Sequence, residues 1–176
     1  GYHYLDGTSS SYMTVPHHAD FNLAGDAFIY VLPDTIDYSP TLTETLISKW
    51  TTTGNQRAWK LEFNGSGRLV FSFSNDGTAV GSRTSQAGIA SPMNGFAAGI
   101  DFSTGDVQFY TSVNYGETWT AFGVPATGSA ISPATSTADI VIGANNAGAS
   151  GNFNAKIYGA GIRDGGLTAY TGTAVL

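Results

Sequence analysis

Three glutamates, Glu44, Glu62 and Glu117, are the chain's whole supply of that residue, and paired carboxylates are what glycoside hydrolysis requires. A hydrolase sets two of them about 5–10 Å apart across a sugar, one as acid and the other as nucleophile or base. Here each glutamate falls on its own expected strand and no Glu-x-Asp-x-Glu run occurs, so the chain is expected not to be an enzyme. Nucleophilic chemistry fares no better, because there is no cysteine and no Gly-x-Ser-x-Gly elbow to expose a serine. His17 and His18 follow Pro16 in a loop, His3 opens the first strand, and Asp20 is the one acid nearby. A metal site wants convergent ligands with carboxylate support, so these read as exposed loop histidines. Calcium takes roughly six to eight oxygens. Asp6, Asp101 and Asp164, at strand ends, are its candidate ligands, and calcium stays open as a cofactor although no dense Asp/Asn loop unites them.

Binding chemistry has better material. If Ala27, Ile29 and Val31 face a core, then Phe28, Tyr30 and Leu32 face the other way, because side chains alternate along a strand. By the same rule Tyr110 points away from Phe109, beside Gln108 and Ser112. Aromatics among small polar groups could stack on a sugar or dock a protein. Tyr30, Tyr110, Tyr115 and Trp119 are therefore candidate ligand contacts, with Asn145 and Asn146 in an amide-rich loop that runs to Asn152. Trp59 shares its face with Leu61 and Phe63 and is expected in the core; Trp119 reads equally as core or as platform.

The composition suits neutral partners. Among 176 residues there are 17 Ser, 21 Thr and 23 Gly, while only 11% are charged, against about 25% in ordinary domains. The net charge of -6, with seven scattered basic residues, argues against nucleic acid, whose phosphates need clustered Lys and Arg. No run approaches the roughly 18 apolar residues of a membrane span, so no membrane insertion is expected. Without cysteines the redox compartment stays undetermined. The opening Gly1-Tyr2-His3-Tyr4-Leu5 has no Met and no apolar leader, which suggests a domain cut from a longer protein.

The elements that must position these residues are strands. Five polar turns, Asn64-Gly65-Ser66-Gly67, Asn75-Asp76-Gly77, Thr104-Gly105-Asp106, Asn114-Tyr115-Gly116 and Asp164-Gly165-Gly166, allow the positive φ that joins antiparallel strands. Between the turns, strands are expected at Tyr2–Leu5, Tyr12–Val15, Asp26–Leu32, Thr43–Trp50, Arg57–Phe63, Arg68–Ser74 and Thr78–Arg83. Further strands are expected at Gly95–Phe102, Val107–Val113, Glu117–Phe122, Asp139–Gly143 and Asn154–Arg163. A polar loop runs to Pro40, and Val124–Thr137 is a long connection. About a dozen strands at this spacing describe one all-β domain over residues 1–176, an antiparallel two-sheet jelly-roll sandwich.

Four stretches in order, Tyr4-Leu5-Asp6-Gly7 through Tyr12-Met13-Thr14-Val15-Pro16, Phe21-Asn22-Leu23-Ala24-Gly25-Asp26, Leu46-Ile47-Ser48-Lys49-Trp50, and Trp59-Lys60-Leu61 to Gly67-Arg68-Leu69, resemble the laminin G-like group of the concanavalin A-like superfamily. Within it the chain looks most like domains of bacteriophage tail and fibre proteins. Phe109-Tyr110-Thr111-Ser112 to Gly116-Glu117-Thr118-Trp119 and Lys156-Ile157-Tyr158 to Arg163-Asp164-Gly165 extend the likeness over nearly the whole chain. The resemblance implies a jelly roll that binds glycans or packs on proteins. It leads to the expectation of a non-enzymatic structural or adhesive module of a virion, on tail, fibre or capsid. Its partners would be other virion proteins or a cell-surface glycan, with homo-oligomerisation left open. The alternative is a carbohydrate-binding module of a secreted enzyme. Some relatives hold calcium near the early Asp-Gly turn, which Asp6 matches loosely.

Overall fold

Strand β3 (Ala27–Pro33) divides its side chains between two environments, and the whole architecture follows from that division. Ala27, Ile29 and Val31 enter the main core, whereas Phe28 lies in a separate apolar cluster on the opposite side of the sheet. The computed structural model describes residues 1–34 and 42–167. Most of the polar loop expected up to Pro40 lies outside them.

Two six-stranded antiparallel sheets enclose the core. The first joins, in spatial order, β1 (His3–Asp6), β12 (Asn154–Asp164), β3, β8 (Gly95–Asp101), β9 (Asp106–Ser112) and β10 (Thr120–Ala121). The second joins β2 (Met13–Val15), β11 (Ile140–Ile142), β4 (Glu44–Thr51), β5 (Gln56–Phe63), β6 (Leu69–Phe73) and β7 (Gly81–Thr84). We call them sheets I and II.

The β5–β6 hairpin shows how local chemistry sets register. Asn64 accepts hydrogen bonds on Oδ1 from the amides of Ser66 and Arg68 (3.0 and 3.1 Å), and Gly67 supplies the positive φ of 68° that the return requires. Trp59 then pairs with Phe73, Leu61 with Phe71 and Phe63 with Leu69. Trp59, Leu61, Phe63, Leu69 and Phe71 have no exposed surface. Removing one such side chain from water stabilises the fold by roughly 1.5–3 kcal/mol. From sheet I, Phe96 and Phe109 meet this layer, with the rings of Phe63 and Phe96 perpendicular at 5.0 Å.

Two strand expectations shorten. Only Thr120–Ala121 of the expected Glu117–Phe122 strand is paired, because Asn114 Oδ1 accepts from the Thr118 amide and hydroxyl and holds 114–118 as a loop. The expected Thr78–Arg83 strand starts at Gly81, because the Asp76 carboxylate takes the amides of Thr78 and Ala79 and prolongs the turn. His17 is also not simply exposed. It is half-buried, and its Nδ1 lies 2.9 Å from the ammonium of the fully buried Lys49.

Candidate functional site

The outward side of sheet I is where the aromatic candidates gather, and β12 shapes it. The β12–β3 register runs from Ile157 opposite Pro33 to Gly159 opposite Leu32, so Tyr158 is an extra residue, a β-bulge. Ile157 is buried and faces the core, while Tyr158 is turned outward and 38% exposed. On one side its ring meets Tyr2 at 5.7 Å; on the other it meets Tyr115 edge-on at 4.9 Å.

Tyr115 reaches that position on a tight turn. Tyr115 and Gly116 have φ of 53° and 80°, and the Glu117 amide donates to the Asn114 carbonyl, the pattern of a type I′ turn. The Tyr115 amide donates to Asn94 Oδ1 and that of Gly116 to Ser112 Oγ. These bonds fix a ring that stays 39% exposed.

Tyr2, 57% exposed, carries the Lys156 ammonium 5.1 Å from its ring centroid. That ammonium is also 3.6 Å from the Asp34 carboxylate. Burial, followed by the negative charge of Asp34, pushes the Tyr158 phenol above its ordinary value, so it remains a neutral hydrogen-bond donor. Three rings from three separated segments thus form an exposed ledge with an ammonium at one end. Ring faces of this kind cover the C–H faces of a sugar, and phenol and ammonium groups supply hydrogen bonds.

Next to the ledge lies a deeper cluster. The indole of Trp119 packs edge-on against Phe28 at 5.5 Å and Tyr30 at 6.2 Å. The Arg163 guanidinium sits 4.9 Å from the Tyr30 ring centroid and donates to its hydroxyl. Tyr30, Trp119 and Arg163 are all half-buried.

The structure brings together some of the expected contacts and withdraws others. Tyr115, Trp119 and Tyr30 belong to this region. Tyr110 does point away from the main core, but it is only 4% exposed. Phe28 packs on its ring, and its hydroxyl donates to the Leu167 carbonyl, so its side chain is covered and supports the sheet from beneath. Asn145 is buried, donates to Thr45 Oγ1 and accepts from Ser150 Oγ. Asn146 donates to Ser150 Oγ and accepts from the Thr52 amide. Both amides are therefore engaged in hydrogen bonds that hold their own loop. Sequence reasoning missed Tyr2, Tyr158 and Lys156; the Tyr158-Gly159 bulge left no local signal beyond the glycine.

Two of the three acidic candidates are likewise engaged. Asp6 accepts from the hydroxyl and amide of Thr8, and Asp101 from the hydroxyl and amide of Ser103 and the amide of Thr104. These bonds hold both carboxyls below their ordinary range, the hydroxyl bond being the largest cause in each. Asp164 ends β12 beside the start of β3, while Asp6 pairs with Asn154 at the opposite end of β12. Among the described residues no group of three or more His, Cys, Asp or Glu converges on a metal position. Glu62, bound by Lys60 at 2.7 Å and Ser72 at 3.1 Å, shares a face with its partner Thr45, whereas Glu44 pairs with the core residue Phe63. The two glutamates therefore face opposite sides of sheet II and cannot flank one sugar.

The fold is an all-β jelly-roll sandwich of two antiparallel six-stranded sheets. The chain is similar to the CBM40 domain of the Ruminococcus gnavus IT-sialidase bound to alpha2,3 sialyllactose, with 14% identity and a TM-score of 0.55 over 82% of this chain and 78% of that one. It is also similar to domains LG4-5 of the mouse laminin alpha1 chain, with 13% identity and a TM-score of 0.60 over 92% and 40% of the two chains. A third similar structure is of botulinum neurotoxin type C, whose cell entry depends on two ganglioside molecules, with 13% identity and a TM-score of 0.56 over 89% and 37%. No protein-family model matches the chain, and no curated protein matches it in sequence.

Proposed function

We propose that this chain is a non-enzymatic glycan-binding module that receives an oligosaccharide on the ledge formed by Tyr2, Tyr115 and Tyr158. The carrying observation is the meeting of these three exposed rings at 4.9 and 5.7 Å, each delivered by a different segment. Similarity of fold to a sialyllactose-bound domain and to a ganglioside-dependent toxin supports the glycan reading. It favours the carbohydrate-binding alternative over a virion component. Attachment to a secreted protein is the setting we propose, with display on a particle as the second. Lys156 and Arg163, both on β12, suit a sugar that carries a carboxylate.

The test is titration of the purified domain with sialyllactose and with lactose, in parallel with Tyr115→Ala and Tyr158→Ala variants. Saturable binding of sialyllactose, weakened about tenfold or more in each variant, is expected, because each alanine removes a central aromatic contact of the ledge and truncation of such contacts costs above about 1 kcal/mol. Equal binding of both sugars would remove the role of the cations. Binding unchanged in both variants, or no binding, would remove the ledge.

A further inference from the structure

Tyr158 touches two other phenols. Its ring centroid lies 4.9 Å from that of Tyr115 and 5.7 Å from that of Tyr2, and all three rings are exposed. The remaining described tyrosines differ. Tyr4 is as exposed as Tyr2 but makes no ring contact among the described residues. Tyr12 and Tyr30 are half-buried and Tyr110 is buried. Among the described residues, Tyr158 and its two neighbours are thus the tyrosines that combine exposure with phenol contact.

The closer pair is held from its backbone. Tyr115 lies in a turn whose amides donate to Asn94 Oδ1 and Ser112 Oγ. Tyr158 lies in a bulge pinned on both sides, by Ile157 opposite Pro33 and by Gly159 opposite Leu32. Groups kept in contact in this way react with each other far faster than with the same group on another molecule. The chain has no cysteine, so no disulfide can tie these segments together. A bond between phenol rings can.

We propose that Tyr115 and Tyr158 are an oxidative modification site, coupled to a dityrosine by a one-electron oxidant of the haem peroxidase class working with hydrogen peroxide. Each phenol gives up one electron and its hydroxyl proton, leaving a phenoxyl radical with spin on the carbons ortho to oxygen. The two radicals form one carbon–carbon bond between ortho positions. The hydrogen on each of those carbons then moves to the ring oxygen, restoring both aromatic phenols. The pair has lost two electrons and two protons, which turn one hydrogen peroxide and its two oxygens into two waters. The product ties the turn after β9 to β12. A cross-link that closes a long loop stabilises a fold by constraining its unfolded chain. Coupling needs only the two rings and is independent of sugar binding.

The test treats the purified full chain with horseradish peroxidase and hydrogen peroxide, with free tyrosine in a parallel reaction. The expected product is a monomer that has lost two hydrogens, shows dityrosine fluorescence and maps to a linked Tyr115–Tyr158 peptide pair. Its yield should not change over about a tenfold dilution of protein, as an intramolecular step requires. Tyr158→Phe keeps the ring but lacks the phenol oxygen, and should remove the monomer fluorescence; Tyr4→Phe should leave it. The linked monomer should melt at a higher temperature than the untreated chain, and treated Tyr158→Phe should not. Dityrosine found only in dimers, mapped to another pair, or persisting in the monomer of Tyr158→Phe would overturn the proposal. So would an unmodified chain under conditions that couple free tyrosine, or a linked monomer with no gain in melting temperature.

Discussion

The ring of Tyr115 stands edge-on to the ring of Tyr158 at 4.9 Å, joining a turn of β9 to a bulge of β12 across the outward side of sheet I. Neither residue is near the other in sequence, and each depends on a local irregularity. One is a left-handed turn and the other an unpaired extra residue. The contact makes one exposed aromatic ledge, the surface proposed to bind a glycan, out of two local irregularities.

Gly116 tests the turn. A Cβ there would meet Leu32 Cδ2 at 3.0 Å and Trp119 Cζ2 at 3.2 Å, and φ is 80°. Gly116→Ala should cost about 1–2 kcal/mol from the left-handed backbone alone, measured by denaturant unfolding. It should also weaken glycan binding by moving Tyr115.

Tyr110 separates support from contact. Tyr110→Phe removes the hydroxyl that donates to the Leu167 carbonyl and should lower stability by about 1 kcal/mol. Glycan affinity should stay within twofold of the unsubstituted chain, by the low coupling of sites that share no ligand contact.

The difference between Tyr110 and Tyr158 shows what the sequence could reveal. Alternation correctly set Phe28, Tyr30 and Tyr110 on the side away from Ile29 and Phe109, and it set Trp59 in the core. The Asn64 to Gly67 turn was legible because its chemistry is local. Alternation says which way a side chain points and nothing of what covers it. Tyr110 is closed over by Leu167, 57 residues away, and a bulge that turns Tyr158 outward breaks the period from which direction is read. Asn145 and Asn146 carried the right chemistry for a sugar, but their bonds to Thr45, Thr52 and Ser150 are tertiary and cannot be counted from composition.

Lys49 gives a signed pH dependence. Desolvation lowers its pKa from 10.5, only partly opposed by the charge of Asp139. Between the lowered folded value and 10.5 the unfolded chain binds the proton more readily, so stability rises with pH through that window. Thermal unfolding across alkaline pH should show this rise in the unsubstituted chain and its loss in Lys49→Met.

Asp76 gives a slope of the same sign at the acid end. Hydrogen bonds from the Thr78 and Ala79 amides, Thr78 first, hold its carboxyl at about 2 against an ordinary 3.8. Its contribution is fully present above the ordinary value and is lost as pH falls toward the folded one. Asp76→Asn should flatten the acid limb of the stability profile between these two pH values, leaving the alkaline limb unchanged.

The ledge itself is tested most directly by side-chain and amide NMR shifts during titration with sialyllactose. The structure predicts saturable shifts centred on Tyr2, Tyr115, Lys156 and Tyr158, with the Asn145–Asn152 loop unmoved. Shifts confined to that loop or to sheet II, or none at saturating sugar, would contradict a glycan site on this face.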